Sequence, residues 1–150
     1  MSGHRPFELL LADDDTDDCM FFREALEELQ VDANLTIVGD GVELMELLSS
    51  SGTKFPHAIY LDLNMPRKNG FECLVEMKGN MKLRHLPVFI YSTSINSDMV
   101  ELVYKSGASH YIRKPAEFQA LKEVILTSIR LIPGITTTQA SKENFIVNSK

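Results

Sequence analysis

The sequence has few of the features that mark secreted, membrane-spanning or nucleic-acid-binding proteins. It contains only two cysteines, Cys19 and Cys73, whose spacing fits no metal motif and which we expect to be small buried apolar residues. No apolar run approaches the roughly 20 residues needed to cross a bilayer, and the N-terminus lacks the hydrophobic region of a signal peptide. The 15 basic residues are outnumbered by 21 acidic ones, and the formal charge of −6 argues against nonspecific binding to nucleic acid. We therefore expect a cytoplasmic protein with no membrane segment and no direct nucleic-acid partner.

Short apolar runs alternate with longer amphipathic segments through most of the chain. The apolar runs predict five strands, near residues 7–12, 35–39, 58–62, 87–92 and 109–113. A helix is predicted after each strand, the first over residues 16–30 and the last around residues 118–129. Strict alternation of this kind predicts an α/β fold with a doubly wound parallel sheet covered on both faces.

The alternating pattern stops at Pro133 and Gly134. Residues 135–150 are rich in Thr, Ser, Asn and Lys and show no periodicity. We therefore expect one folded domain over residues 7–131 and a C-terminal tail over residues 132–150 without an effector domain.

Acidic residues collect where the first predicted strand ends, at Asp13, Asp14, Asp15, Asp17 and Asp18. Adjacent like charges behind a buried strand are unfavourable unless a cation offsets them. Asp17 and Asp18 have a simpler explanation, because negative charge is favourable in the first turn of a helix. Asp15 is expected to cap that helix. The two acids that remain, Asp13 and Asp14, are candidate metal ligands.

Three other predicted strands end in polar or charged residues. Asp62 ends the third strand, Ser92 ends the fourth, and Lys114 follows the fifth. Because parallel strands have their carboxyl ends at the same edge of a sheet, these side chains should converge with Asp13 and Asp14. Such a site could hold a hard divalent cation beside a phosphoryl group.

Four segments resemble, in order, the motifs of the response-regulator receiver domains of two-component systems. They are Leu10–Asp15, Leu61–Gly70, Ile90–Ser94 and Tyr111–Pro115. The resemblance covers residues 7–131 and implies a flavodoxin-like receiver fold, a five-stranded sheet with the strand order 2-1-3-4-5. Residues 92–96 further resemble the stand-alone regulators that are paired with bacterial phytochromes.

This resemblance implies a phosphoacceptor and a metal site. Asp62 is implied to accept a phosphoryl group from a sensor histidine kinase or a histidine phosphotransfer protein. A Mg²⁺ ion is implied to bind Asp13, Asp14, Asp62 and the backbone carbonyl of Asn64, with Asp13 acting largely through water. Mg²⁺ prefers oxygen ligands and retains waters, so this small donor set is chemically sufficient.

The family pattern also assigns roles around the phosphoacceptor. Lys114 is the implied fixed cation, and a cis peptide bond is implied before Pro115. Ser92 is implied to hydrogen-bond the phosphoryl group, and Tyr111 matches the mobile aromatic residue of the switch. Phosphorylation would then change the surface formed by the fourth helix, fifth strand and fifth helix, where a homodimer could also form.

Other functions suit parts of the same pattern. A metal-dependent phosphatase would use Asp62 as a covalent nucleophile, but it needs an acid or base nearby, and Asn64 cannot exchange protons usefully. A flavin site is disfavoured, because three aspartates after the first strand would repel the cofactor phosphate. A protein interaction module that works without phosphorylation would not need the complete set of site residues. The sequence therefore favours a phosphoacceptor signalling protein over an enzyme.

Overall fold

The computed structural model describes residues 6–50, 54–135 and 139–148, in which strands and helices alternate. The strands are β1 (Phe7–Ala12), β2 (Ala33–Val38), β3 (Ala58–Leu61), β4 (Val88–Ser92), β5 (His110–Arg113) and β6 (Ile146–Val147). The helices are α1 (Thr16–Leu29), α2 (Gly41–Ser50), α3 (Gly70–Lys78), α4 (Ser97–Lys105) and α5 (Phe118–Leu131). Short 3-10 helices cover Ile132–Gly134 and Lys142–Asn144.

The strands form a parallel sheet in the order β2-β1-β3-β4-β5-β6. The predicted doubly wound fold and the order of its first five strands are confirmed. The structure adds a sixth strand that was not predicted, because Ile146 pairs beside Tyr111 and Val147 pairs beside Ile112. Part of the predicted tail is therefore built into the sheet.

A hydrophobic core lies on each face of the sheet. Side chains alternate along β3, so that Tyr60 packs with α1 and α5 whereas Ile59 and Leu61 pack with α2, α3 and α4. The apolar stripe of α1, which includes Phe22 and Leu26, is buried against the first of these faces. Among the described helices, none is both long enough and apolar enough to span a bilayer.

Polar side chains fix where three of the helices begin at the carboxyl edge of the sheet. Asp15 Oδ1 accepts a hydrogen bond from the N–H of Asp18 at 3.1 Å, so the predicted cap of α1 is confirmed. Asn69 and Glu72 form a reciprocal capping box at the start of α3. Asn96 caps α4, because its side chain accepts hydrogen bonds from two N–H groups of the first turn of that helix. These local bonds fix where α1, α3 and α4 begin at the edge where the acids collect.

Gly70 allows the loop after β3 to fold back against the end of the strand. Its N–H donates to the carbonyl of Leu63 at 3.1 Å. A Cβ atom at Gly70 would lie 2.1 Å from the backbone carbonyl oxygen of Asp62, a distance that no side chain tolerates. The start of α3 is thereby held directly against the backbone of Asp62.

Residues 139–148, the C-terminal segment, pack along the outer edge of β5. Tyr111 donates its N–H to the carbonyl of Phe145 at 2.9 Å. The Phe145 ring is buried and lies edge-on to the Tyr104 ring at a centroid distance of 4.9 Å. Gln139 Nε2 donates to the carbonyl of Tyr104 at 2.6 Å near the end of α4. The segment therefore covers the edge of β5 and part of the groove between β5 and α4.

Candidate functional site

Backbone hydrogen bonds continue the sheet pattern one residue past the ends of three strands. The N–H of Asp13 donates to Val38 at 3.0 Å, that of Asp62 to Ala12 at 2.9 Å, and that of Lys114 to Ser92 at 2.7 Å. Residues paired in this way are held by the sheet and not by a free loop. The side chains of Asp13, Asp62 and Lys114 therefore start from fixed points at the carboxyl edge.

Three carboxylates converge at this edge. One oxygen atom from each of Asp13, Asp14 and Asp62 lies within 4.8 Å of the other two. Asp13 and Asp62 are buried, whereas Asp14 is exposed and open to solvent. Oxygen donors with one open side suit a hard divalent cation that keeps part of its water shell.

Both carboxylate oxygens of Asp62 are held in place. Oδ1 accepts a hydrogen bond from the N–H of Asn64 at 3.1 Å, and Oδ2 accepts one from Lys114 Nζ at 3.3 Å. Only 5 % of Asp62 is exposed. A carboxylate with fixed orientation and little hydration is suited to react as a nucleophile, because few waters and rotamers have to be reorganised first.

Lys114 is the cation of the site. Its Nζ lies 2.8 Å from Asp13 Oδ2, 2.8 Å from Asp18 Oδ2 and 3.3 Å from Asp62 Oδ2, and 7 % of the side chain is exposed. Burial alone would lower the pKa of Lys114, but the nearby carboxylates of Asp13 and Asp18 raise it above its ordinary value. The ammonium group therefore stays charged at neutral pH.

Asp13 is a buried carboxylate with spare acceptor capacity. Its Oδ1 accepts a hydrogen bond from the N–H of Asp15 at 3.0 Å. Its Oδ2 is in ionic contact with Lys114 but receives no well-aligned hydrogen bond. Burial raises the pKa of Asp13 to about 6, although Lys114 acts in the opposite direction. Such an oxygen fits a metal ligand, because a cation would compensate both its charge and its missing hydrogen bond.

Asp18 belongs to the site, although its sequence position suggested only a favourable charge at a helix start. Its Oδ2 accepts a hydrogen bond from Lys114 Nζ at 2.8 Å. Asp17 and Asp18 both lie in the first turn of α1, where negative charge is favourable, so this preference does not distinguish them. The sequence did contain one indication of this contact. Asp18 lies one helical turn after the acids that follow β1, on a helix that starts directly at the site.

Ser92 and Tyr111 lie next to each other below the loop that follows β4. Ser92 is fully buried, and its Oγ accepts a long hydrogen bond of 3.4 Å from the N–H of Ser94. Tyr111 is also fully buried and donates its hydroxyl to the carbonyl of Ser94 at 2.7 Å. Burial raises the pKa of the Tyr111 hydroxyl, and the nearby Ser92 partly offsets this effect. The structure therefore shows Tyr111 in the inward position, bonded to the loop.

The resemblance implied a cis peptide bond before Pro115, and this prediction was wrong. The bond is trans, and the described ranges contain no cis peptide bond. Trans is the preferred isomer before proline by about 0.5–1 kcal/mol. Lys114 reaches the three acids with this backbone geometry.

Comparison with known proteins identifies the family. The family model of the response regulator receiver domain matches residues 9–126. The chain belongs to the response regulator receiver family. The match includes every residue of the site described above, from Asp13 to Lys114.

Similar receiver proteins are known in sequence and in structure. The response regulator Rcp1 of Synechocystis sp. (strain ATCC 27184 / PCC 6803 / Kazusa) is 33% identical over 124 residues, which cover 80% of this chain and 84% of Rcp1. The crystal structure of the phosphorylated cyanobacterial phytochrome response regulator RcpA matches this receiver with a TM-score of 0.76 at 33% identity, over 91% of this chain and 99% of RcpA. The Mn²⁺-bound form of Rcp1 matches with a TM-score of 0.74 at 31% identity, over 91% of this chain and all of Rcp1 (100%).

Family membership confirms the resemblance seen in the motifs. Receiver domains are phosphoacceptor signalling domains that receive phosphoryl groups from histidine kinases. The Mn²⁺-bound structure of Rcp1 and the cluster of Asp13, Asp14 and Asp62 together support a divalent metal site in this receiver.

Proposed function

We propose that this receiver domain accepts a phosphoryl group on Asp62, with Mg²⁺ bound beside it, and reports the change to partners through its surface. The observation that carries the proposal is the Asp62 carboxylate itself. It is buried, it contacts Lys114 Nζ at 3.3 Å, and it groups with Asp13 and Asp14 within 4.8 Å. The donor would be a sensor histidine kinase or a histidine phosphotransfer protein in the cytoplasm. The likeness to phytochrome response regulators makes a kinase of that kind the first to test.

The residues present can perform this transfer. An oxygen of Asp62 bonds to phosphorus while the bond from phosphorus to the donor histidine nitrogen breaks. Asp13, Asp14, Asp62 and the backbone carbonyl of Asn64 would hold Mg²⁺, which neutralises charge on the phosphoryl oxygens when it is bound. Lys114 supplies a positive charge at the site, and the surrounding acids already hold its ammonium group near Asp62.

The site fits a phosphoacceptor better than a phosphatase that turns over repeatedly. On the loop after β3, Asn64 hydrogen-bonds to Asp62 through its backbone N–H, and its side chain carries no titratable group. Repeated turnover would need an acid or base to assist product release. A module that works without phosphorylation would have no use for a buried acid cluster, since uncompensated buried charge is costly.

Removal of Asp14 should abolish measurable Mg²⁺ binding, and removal of Asp13 should weaken it by about 10 to 100-fold. Asp14 is the exposed acid of the cluster, whereas the charge of Asp13 is already partly compensated by Lys114. Titration of the Asp14→Ala and Asp13→Ala proteins with Mg²⁺, followed by NMR shifts of the surrounding amides, would measure both effects.

Asp17→Ala is the matched control for this titration. Asp17 is an exposed acid of the same segment and does not belong to the cluster of Asp13, Asp14 and Asp62. If the Asp13 and Asp14 variants bound Mg²⁺ as tightly as the control, these two acids would not be metal ligands and would only stabilise the start of α1.

We further propose that Ser92 and Tyr111 transmit the change to the surface of α4, β5 and α5. A phosphoryl group on Asp62 adds acceptor oxygens that the Ser92 hydroxyl can meet only if the loop to residue 95 moves. Tyr111 is bonded to that loop at Ser94, and its backbone pairs with the C-terminal segment. This surface is also where a homodimer could form.

Beryllofluoride added with Mg²⁺ should shift amide NMR signals along α4 and β5, and Ser92→Ala and Tyr111→Phe should each reduce these shifts. Tyr111→Phe keeps the buried ring and removes only the hydroxyl that donates to Ser94. Tyr104→Phe removes a hydroxyl from the same face and should leave the response intact. An undiminished response in the Ser92 and Tyr111 variants would exclude their role as the switch.

A further inference from the structure

The ammonium group of Lys114 is shared among three carboxylates. An ammonium group has three N–H donors and no more. Its contacts to Asp13 and Asp18 are the shortest, both 2.8 Å, and that to Asp62 is 3.3 Å. With 7 % of the Lys114 side chain exposed, little solvent competes for these donors. A phosphoryl oxygen that approaches Lys114 therefore has to compete with these carboxylates for the ammonium group.

Asp18 differs from the other two partners of Lys114 because it stands outside the metal-ligating group. That group comprises Asp13, Asp14 and Asp62. A divalent cation bound to Asp13 and Asp62 would neutralise part of their negative charge and so weaken their attraction for Lys114. It would leave the negative charge of Asp18 unneutralised. The Asp18 side chain is 35 % exposed, so it can also turn away into solvent.

We propose that Asp18 is a positioning residue for phosphoryl transfer, a carboxylate that holds Lys114 before transfer and then competes with the phosphoryl group for it. The inference rests on the proposed phosphorylation of Asp62. Asp18 fixes the ammonium group on the α1 side of the site while the protein is unphosphorylated. After transfer its negative charge competes with the phosphoryl oxygens for the same donors. The ion pair thereby lowers the stability of the phosphorylated state relative to the unphosphorylated one.

The test is the affinity of the full chain for beryllofluoride at saturating Mg²⁺ in the Asp18→Asn and Asp17→Asn proteins. Asn keeps the shape of the Asp side chain and removes its charge. Both variants lose one negative charge from the first turn of α1, so the general effects on net charge and on the helix start are matched. Asp18→Asn should bind beryllofluoride roughly three- to tenfold more tightly than Asp17→Asn, the order expected for one close ionic contact in a partly solvated site.

A second readout reports on Lys114 itself. The ¹⁵N signal of its side-chain ammonium group, in the presence of Mg²⁺ and before beryllofluoride is added, should shift in Asp18→Asn and stay in place in Asp17→Asn. Equal affinities of the two variants, or a Lys114 signal that Asp18→Asn leaves unchanged, would overturn the assignment. A parent protein that binds no beryllofluoride would instead contradict the proposed function, so the two failures can be told apart.

Discussion

Acetyl phosphate or another small phosphodonor should label this protein once, on Asp62, and only when Mg²⁺ or Mn²⁺ is present. Asp62 is the buried acid that contacts Lys114 and also belongs to the metal cluster with Asp13 and Asp14. Without a divalent cation the three acids repel the incoming phosphoryl group, and Lys114 offsets only one of their charges. Intact mass measured with and without chelator would show one added phosphoryl group or none.

Asp62→Asn should abolish the labelling completely, because an amide oxygen cannot form the acyl phosphate. Asp40→Asn provides the control, since Asp40 is also an aspartate near the loop after β3 but is paired with Arg67 at 3.0 Å. Its labelling should equal that of the parent protein. If Asp62→Asn were labelled as well as the parent, Asp62 would not be the phosphoacceptor.

Phe145→Ala should release the C-terminal segment and lower the free energy of unfolding by about 3 kcal/mol, the low end for a buried phenylalanine. The ring packs against Tyr104 at 4.9 Å and lies 6.5 Å from the rings of both His110 and Tyr111. The loss should not reach the top of the range, because the segment can detach and leave no cavity behind. Denaturation in urea would measure the change.

Hydrogen exchange at the amide of Tyr111 provides a local readout of the same substitution. This amide donates to the carbonyl of Phe145, so it should exchange faster once the segment leaves. Lys142→Gln is the control, because it removes an exposed ion pair of the segment with Glu101, and such pairs contribute little. Unchanged protection of the Tyr111 amide in Phe145→Ala would show that the segment stays docked without its buried ring.

The fold and most of the site follow from local features of the sequence. Asp13, Asp62 and Lys114 each stand at the end of a predicted strand, and parallel strands end at the same edge, so position along the chain was enough to predict that they meet. The caps Asp15 and Asn96 bond to N–H groups no more than three residues away, which makes them readable from sequence alone.

The sequence by itself therefore determined the parallel sheet, its first five strands and the acids at its edge, because these depend on periodicity and on contacts between near neighbours. Only the tertiary structure decided that Asp18, and not Asp17, contacts Lys114, since this depends on how α1 is rotated against a residue 96 positions away. The conformation of the C-terminal segment was also decided only by the tertiary structure. Residues 145–147 form too short an apolar run to show a period, and they become a strand because β5 offers an unpaired edge for them to join.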